Sequence, residues 1–156
     1  FYVVGLSLGG MIATEIARFM KPEKTFLISS IPVIDFLPWY YKLARIINLQ
    51  KWLPISMIKH AAWIKRIFSP ETSEDKSMLR KMIRDCDPSF IRWGLHAILY
   101  WKNKTIPDNL VMIHGTADRI LPIKNTRPTH AIKGGGHLMV LNRAEEINQI
   151  LHSLLK

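Results

Sequence analysis

The chain has 156 residues, 48% of them hydrophobic and 22% charged, which allows one packed core and excludes disordered and fibrous classes. Its formal charge is +10, and residues 32–105 carry thirteen Lys/Arg against six Asp/Glu, so most of the excess sits mid-chain. No apolar run is long enough to span a bilayer, and the lone Cys86 excludes an intramolecular disulfide framework, which fits a reducing compartment and a cytoplasmic location.

Taken in chain order, residues 1–4 (Phe-Tyr-Val-Val) read as a short strand that runs into Gly5-Leu6-Ser7-Leu8-Gly9. Ile12, Ile16 and Phe19 then recur at helical spacing, with Ala13 and Ala17 beside them. Residues 25–28 (Thr-Phe-Leu-Ile) form a second apolar run. Strand, helix, strand at this length predicts a βαβ unit and a parallel sheet.

Residues 32–105 read as wholly helical, divided by Pro32, Pro38, Pro54, Pro70 and Pro88, because proline suits the first turn of a helix and not its interior. Two stretches, 54–69 and 88–103, are amphipathic and basic. Such helices can lie on a membrane, but packing of the apolar face against the rest of the same protein is the commoner arrangement and the one expected here. The nearby aromatics lack the glycine-interleaved strand pattern of an RNA-binding sheet, so nucleic acid is not an expected partner. A strand candidate at 110–113, a shorter one near 130, and a closing amphipathic helix from Arg143 complete the chain. Asn142 and Glu145 have the spacing of a capping box for that helix.

Ser7 sits between glycines at the seam of a strand and a helix. A serine hydroxyl is a poor nucleophile unless its oxygen is exposed and a base removes its proton. A sharp strand-to-helix turn supplies the exposure, and the glycines on either side, Gly5 and Gly9, avoid collision with neighbouring backbone. The helix that follows directs its first amides at the site, and the Leu8 N–H would give half of an oxyanion hole. The base is expected to be His137, behind three glycines and after the last strand. A carboxylate must then fix its tautomer. Asp118, just past the 110–113 strand, is favoured, while Asp35, after the second strand, remains a rival.

In these motifs the chain resembles the α/β-hydrolase superfamily, in its serine-nucleophile branch. "GLSLGG" looks like the nucleophile elbow, "HGTADRILP" the acid turn and "GGGHLMVLNRAEEI" the histidine loop, in the order Ser, Asp, His. The resemblance implies an α/β core from residues 1–31 and 106–156, with 32–105 inserted as a helical cap or lid. It implies a carboxylic ester hydrolase working through Ser7, His137 and Asp118 with an acyl-enzyme, on a small-molecule acyl substrate and with no metal or organic cofactor. A thioesterase, an amidase, an acyltransferase or a non-catalytic ligand receptor would share the same scaffold. It further implies the C-terminal half of the family's sheet, with a missing N-terminal half as partner, a bare apolar edge at the first strand, and low solubility and activity for these residues alone. Some contact of the basic cap with a membrane surface is compatible with its charge.

Overall fold

In the computed structural model, residues 1–52, 68, 70 and 72–155 are described. Four strands, β1 (Tyr2–Leu6), β2 (Lys24–Ile28), β3 (Leu110–Gly115) and β4 (His130–Ile132), form one parallel sheet in that spatial order. The described helices are α1 (Leu8–Met20), α2 (Trp39–Ile46), α3 (Leu49–Trp52), α4 (Ser73–Asp85), α5 (Pro88–Tyr100) and α6 (Ala144–Leu154). This is an α/β fold with a helical segment inserted between β2 and β3.

Period-two alternation along the central strands explains how the sheet is covered on both faces. Leu27 and Met112 meet Ala13 of α1 on one side. Ile28 and Ile113 pack with Ile132, Met139 and Ile147 of α6 on the other. A third cluster, Met11, Ile31, Leu37 and Leu121, joins α1 to the inserted helices and lies beside the seam of β1 and α1.

Apart from Met11, the face that α1 buries is made of small residues. Gly10, Ala13, Thr14 and Ala17 turn inward, whereas Ile12, Ile16 and Phe19, which mark the helix in the sequence, are exposed, Phe19 to 77%. Close approach of helix to sheet selects small side chains there. Strand β1 is an edge of the described sheet, with Tyr2 and Val4 exposed.

Of the inserted helices, α4 and α5 begin at side-chain caps. Thr72 and Asp75 form a reciprocal capping box at α4, and Asp87 accepts from Ser89 and Phe90 at α5, with Pro88 in its first turn. The apolar face expected for α5 packs inward only in part. Ile98 and Trp101 join the third cluster, while Phe90 and Trp93 stay exposed. The basic stretch 54–69 lies outside the described residues apart from Phe68.

The start of α6 differs from the expected capping box. Arg143 is the N-cap and no side chain caps it. The Asn142 and Arg143 amides both bond to Met139 O, which winds the preceding loop one residue further. The Asn142 side chain instead donates to Asp75 Oδ2 at 3.2 Å, linking the histidine loop to α4.

Candidate active site

Residue Ser7 occupies φ 52°, ψ −120°, outside the regions open to side-chain-bearing residues, at a cost of about 1–3 kcal/mol. Hydrogen bonds to its backbone hold it there. Its N–H donates to Ile28 O at 3.0 Å, and its carbonyl accepts from Gly10 N at 2.9 Å and from Ser30 Oγ at 2.6 Å. The strained turn leaves Ser7 at the tip of β1 with α1 beginning immediately behind it.

The glycine requirement falls differently from the sequence pattern. A Cβ on Gly5 would lie 2.2 Å from Gly9 O, and one on Gly10 would lie 2.4 Å from Ser30 Oγ. A Cβ on Gly9 would meet nothing within 4 Å. The second essential glycine is therefore Gly10, because its neighbour is the serine that supports the elbow. Gly9→Ala should leave stability unchanged or raise it by up to about 1 kcal/mol, since Ala favours a helix. Gly5→Ala should cost about 3 kcal/mol by overpacking against backbone. Urea unfolding of the full-length variants checks both.

His137 and Asp118 are brought to this serine by two loops that touch backbone to backbone. A Cβ on Gly115 would lie 2.1 Å from Gly135 O, so only glycine lets the acid loop after β3 meet the histidine loop after β4. The Ala117 N–H donates to Gly135 O, the Thr116 N–H to Ile132 O, and the Gly134 N–H to Thr116 Oγ1. Gly134 itself adopts φ +74°, a left-handed conformation that glycine takes without penalty.

The result is one hydrogen-bonded chain. His137 Nε2 lies 2.9 Å from Ser7 Oγ, and His137 Nδ1 lies 2.8 Å from Asp118 Oδ2. An ionised carboxylate only accepts, so Nδ1 carries the proton and donates to Asp118, leaving the Nε2 lone pair to accept the serine O–H. Both His137 and Asp118 are buried. Asp118 Oδ1 is occupied separately, accepting from Ile120 N at 2.8 Å and Leu121 N at 2.9 Å. Burial pushes the Asp118 pKa up, but hydrogen bonds from His114 and His137, the neighbouring imidazole charge and the Leu121 amide outweigh it and hold the carboxyl well below the usual aspartate range.

His114 is the residue whose part sequence reading missed. Its Nε2 lies 2.7 Å from Leu121 O and 3.2 Å from Asp118 Oδ2, so one N–H is shared between a carbonyl and the carboxylate. The signal was present: a histidine at the end of β3, four residues before the acid. Asp35, the rival acid, is exposed on the short 3-10 turn Ile34–Phe36, and His137 Nδ1 goes to Asp118. His96 stacks on Tyr100 within α5, and His130 and His152 lie in β4 and α6. His60 lies outside the described residues. No described group of three or more His, Cys, Asp or Glu could hold a metal ion.

Leu8 opens α1, so its N–H belongs to the first turn, whose amides have no intrahelical acceptor. Its side chain lines a small apolar pocket beside Ser7, with Met11, Ile31, Tyr41, Ile98 and Leu121. Tyr41 comes from α2 and Ile98 from α5, so the inserted helices wall the pocket. The hydroxyls of Tyr40 and Tyr41 both donate to Ile120 O, which ties α2 to the acid loop, and burial pushes the Tyr41 pKa up. The Phe68 ring meets His137 edge-on, 5.7 Å between centroids.

Several solved structures share this arrangement of elements at low sequence identity. A thermophilic esterase from Thermogutta terrifontis matches 99% of this chain at 17% identity with a TM-score of 0.74, over 64% of its own length. Rv0554 from Mycobacterium tuberculosis matches 97% at 19% identity with a TM-score of 0.61, over 64% of its length. The meta-cleavage product hydrolase CumD from Pseudomonas fluorescens IP01 matches 96% at 16% identity with a TM-score of 0.60, over 62% of its length. The chain thus spans less than two thirds of each of these proteins. No match was found among curated proteins. At such identities the likeness is one of fold. The family model matches residues 1–150, which take in the elbow, the acid loop and the histidine loop, and by it the chain belongs to the alpha/beta hydrolase family.

Proposed function

We propose that the protein is a serine hydrolase that cleaves an acyl substrate, in the first instance a carboxylic ester, through Ser7, His137 and Asp118. The observation that carries this reading is the unbroken hydrogen-bond chain from Ser7 Oγ through both ring nitrogens of His137 to Asp118 Oδ2. In the first half-reaction His137 Nε2 takes the Ser7 proton as Oγ attacks the carbonyl carbon. The charge on the carbonyl oxygen is met by the Leu8 N–H at the positive end of α1. His137 then passes its proton to the leaving alkoxide, and the acyl group stays on Ser7. Water, deprotonated by the same nitrogen, releases the acid and restores the serine.

Asp118 orients His137 and stabilises its charged form. Its depressed pKa keeps it an acceptor across the physiological range. The apolar pocket walled by Leu8, Met11, Tyr41 and Ile98 suits the hydrocarbon part of an acyl chain, and the inserted helices act as the cap. The reaction needs no metal or organic cofactor. A thioester or amide would pass through the same steps with a different leaving group.

Treating the full-length protein with a fluorophosphonate tests this directly. A single covalent adduct is expected, mapped by peptide mass spectrometry to Ser7, and its formation should stop in His137→Ala. Absence of an adduct from the folded protein would reject the hydrolase reading in favour of a non-catalytic binding module.

A further inference from the structure

We infer that the outer face of the inserted helices α2, α3 and α5 is a docking surface for an anionic lipid membrane. The acidic residues of the helical segment are segregated. Residues 36–70 contain six Lys/Arg and no Asp or Glu, and residues 88–107 contain three Lys/Arg and no acid. Five acids fall between them, in α4 and its flanks, which are close to neutral. Of these basic residues Lys42, Arg45, Lys51 and Arg92 lie on α2, α3 and α5, which carry no acid, whereas the four of α4 are offset by acids.

The same helices turn large apolar side chains to solvent. Trp39, Leu43, Ile46 and Ile47 follow one another at spacings of four, three and one, which places them on one stripe of α2. Ile46 is 74% exposed and Trp39 72%, and Trp52 at the end of α3 is 80% exposed. A surface helix ordinarily turns such a stripe inward. Here Tyr41 of α2 points inward, toward Ile120 and the pocket, while the apolar stripe faces solvent. Lys42, Arg45 and Lys51 are interleaved with it.

Contacts between the helices hold this face together. Tyr100 Oη donates to Asn48 Oδ1 at 2.6 Å, Arg45 lies over the Tyr100 ring, and Arg92 Nη1 donates to Lys51 O at 3.5 Å. On either side of Arg92 in the chain, the half-exposed Phe90 and Trp93 pack with centroids 5.6 Å apart.

The chemistry selects the partner. Indole rings favour the headgroup boundary, aliphatic side chains gain by entering the acyl region, and interleaved Lys/Arg extend to anionic headgroups. A second copy would set two positive faces against each other. A nucleic acid would engage the charges and the rings but leave Leu43, Ile46 and Ile47 without use. The inference stands independently of the catalytic reading.

The test uses the full-length protein carrying Ser7→Ala, so that lipid turnover plays no part. It is centrifuged with vesicles of phosphatidylcholine alone or of phosphatidylcholine mixed with phosphatidylglycerol. Binding to the anionic vesicles is expected, with a blue shift of tryptophan fluorescence and weakening at high salt. Lys42→Gln together with Lys51→Gln should weaken it about thirtyfold, at roughly fivefold per charge removed. Trp39→Ser with Trp52→Ser should weaken binding and shrink the blue shift, with the thermal midpoints of both variants unchanged. Equal binding to both vesicle types, or unchanged binding by both variants, would overturn the inference. So would a failure to bind vesicles, whether accompanied by dimerisation or by retention of a single-stranded RNA.

Discussion

Ser7→Ala and His137→Ala in the full-length protein should each lower kcat for a short-chain nitrophenyl ester about a millionfold, and the double variant should lose no more than either alone. The non-additivity is the informative part. Ser7 Oγ is useless as a nucleophile unless His137 Nε2, 2.9 Å away, removes its proton, and that nitrogen has nothing to act on once the hydroxyl is gone. Two groups acting on one proton therefore fail together. The Leu8 amide and the apolar pocket survive in every variant, so a residual rate above that of water should remain. Independent losses that multiply in the double variant would show that the two residues act in separate steps. Wild-type turnover by Ser7→Ala would remove Ser7 from the chemistry altogether. Neither substitution should disturb folding, and Ser7→Gly should stabilise the protein, because glycine tolerates φ 52°.

Most of the site was legible because each part of it is local. The glycines around Ser7, the acid past β3 and the glycine-rich loop before His137 each announce a backbone conformation within a few residues. What stayed hidden depends on contacts between distant segments. Sequence pattern names Gly9 as the elbow's second glycine, yet the steric demand falls on Gly10, because Ser30 arrives there from the end of β2. The demand for glycine at position 115 likewise comes from Gly135, which meets it from another loop. The inward face of α1 was obscured for a related reason. Ile12, Ile16 and Phe19 carry the stronger periodic signal, but packing of a helix onto a flat sheet rewards Gly10, Ala13 and Ala17. Hydrophobic periodicity identifies the helix without deciding which face turns inward.

Asp118→Asn is expected to reduce kcat about ten-thousandfold while keeping the fold, and its cause can be followed atom by atom. Asp118 Oδ1 accepts from two backbone amides, Ile120 and Leu121, so in the variant the amide oxygen must take that place. The amide nitrogen is then forced into the Oδ2 position, where it faces the Nδ1–H of His137 and the Nε2–H of His114. Donor meets donor on both sides. His137 relieves its conflict by moving the proton to Nε2, which leaves no lone pair for the Ser7 hydroxyl and accounts for the lost rate. His114 has no such escape, because its Nε2–H is also given to Leu121 O. A stability loss of roughly 2 kcal/mol follows at neutral pH, the scale of a hydrogen bond to a buried charge. Its pH dependence has a fixed sign. The folded carboxyl is held below its unfolded value, so its contribution is complete above about pH 5 and fades as the pH falls below about 4. Urea unfolding of wild type and variant should therefore give a constant gap between pH 5 and 8 that closes in acid. A gap that widens in acid, or a variant with wild-type kcat, would mean that another carboxylate, with Asp35 the first to examine, holds His137 in the working enzyme.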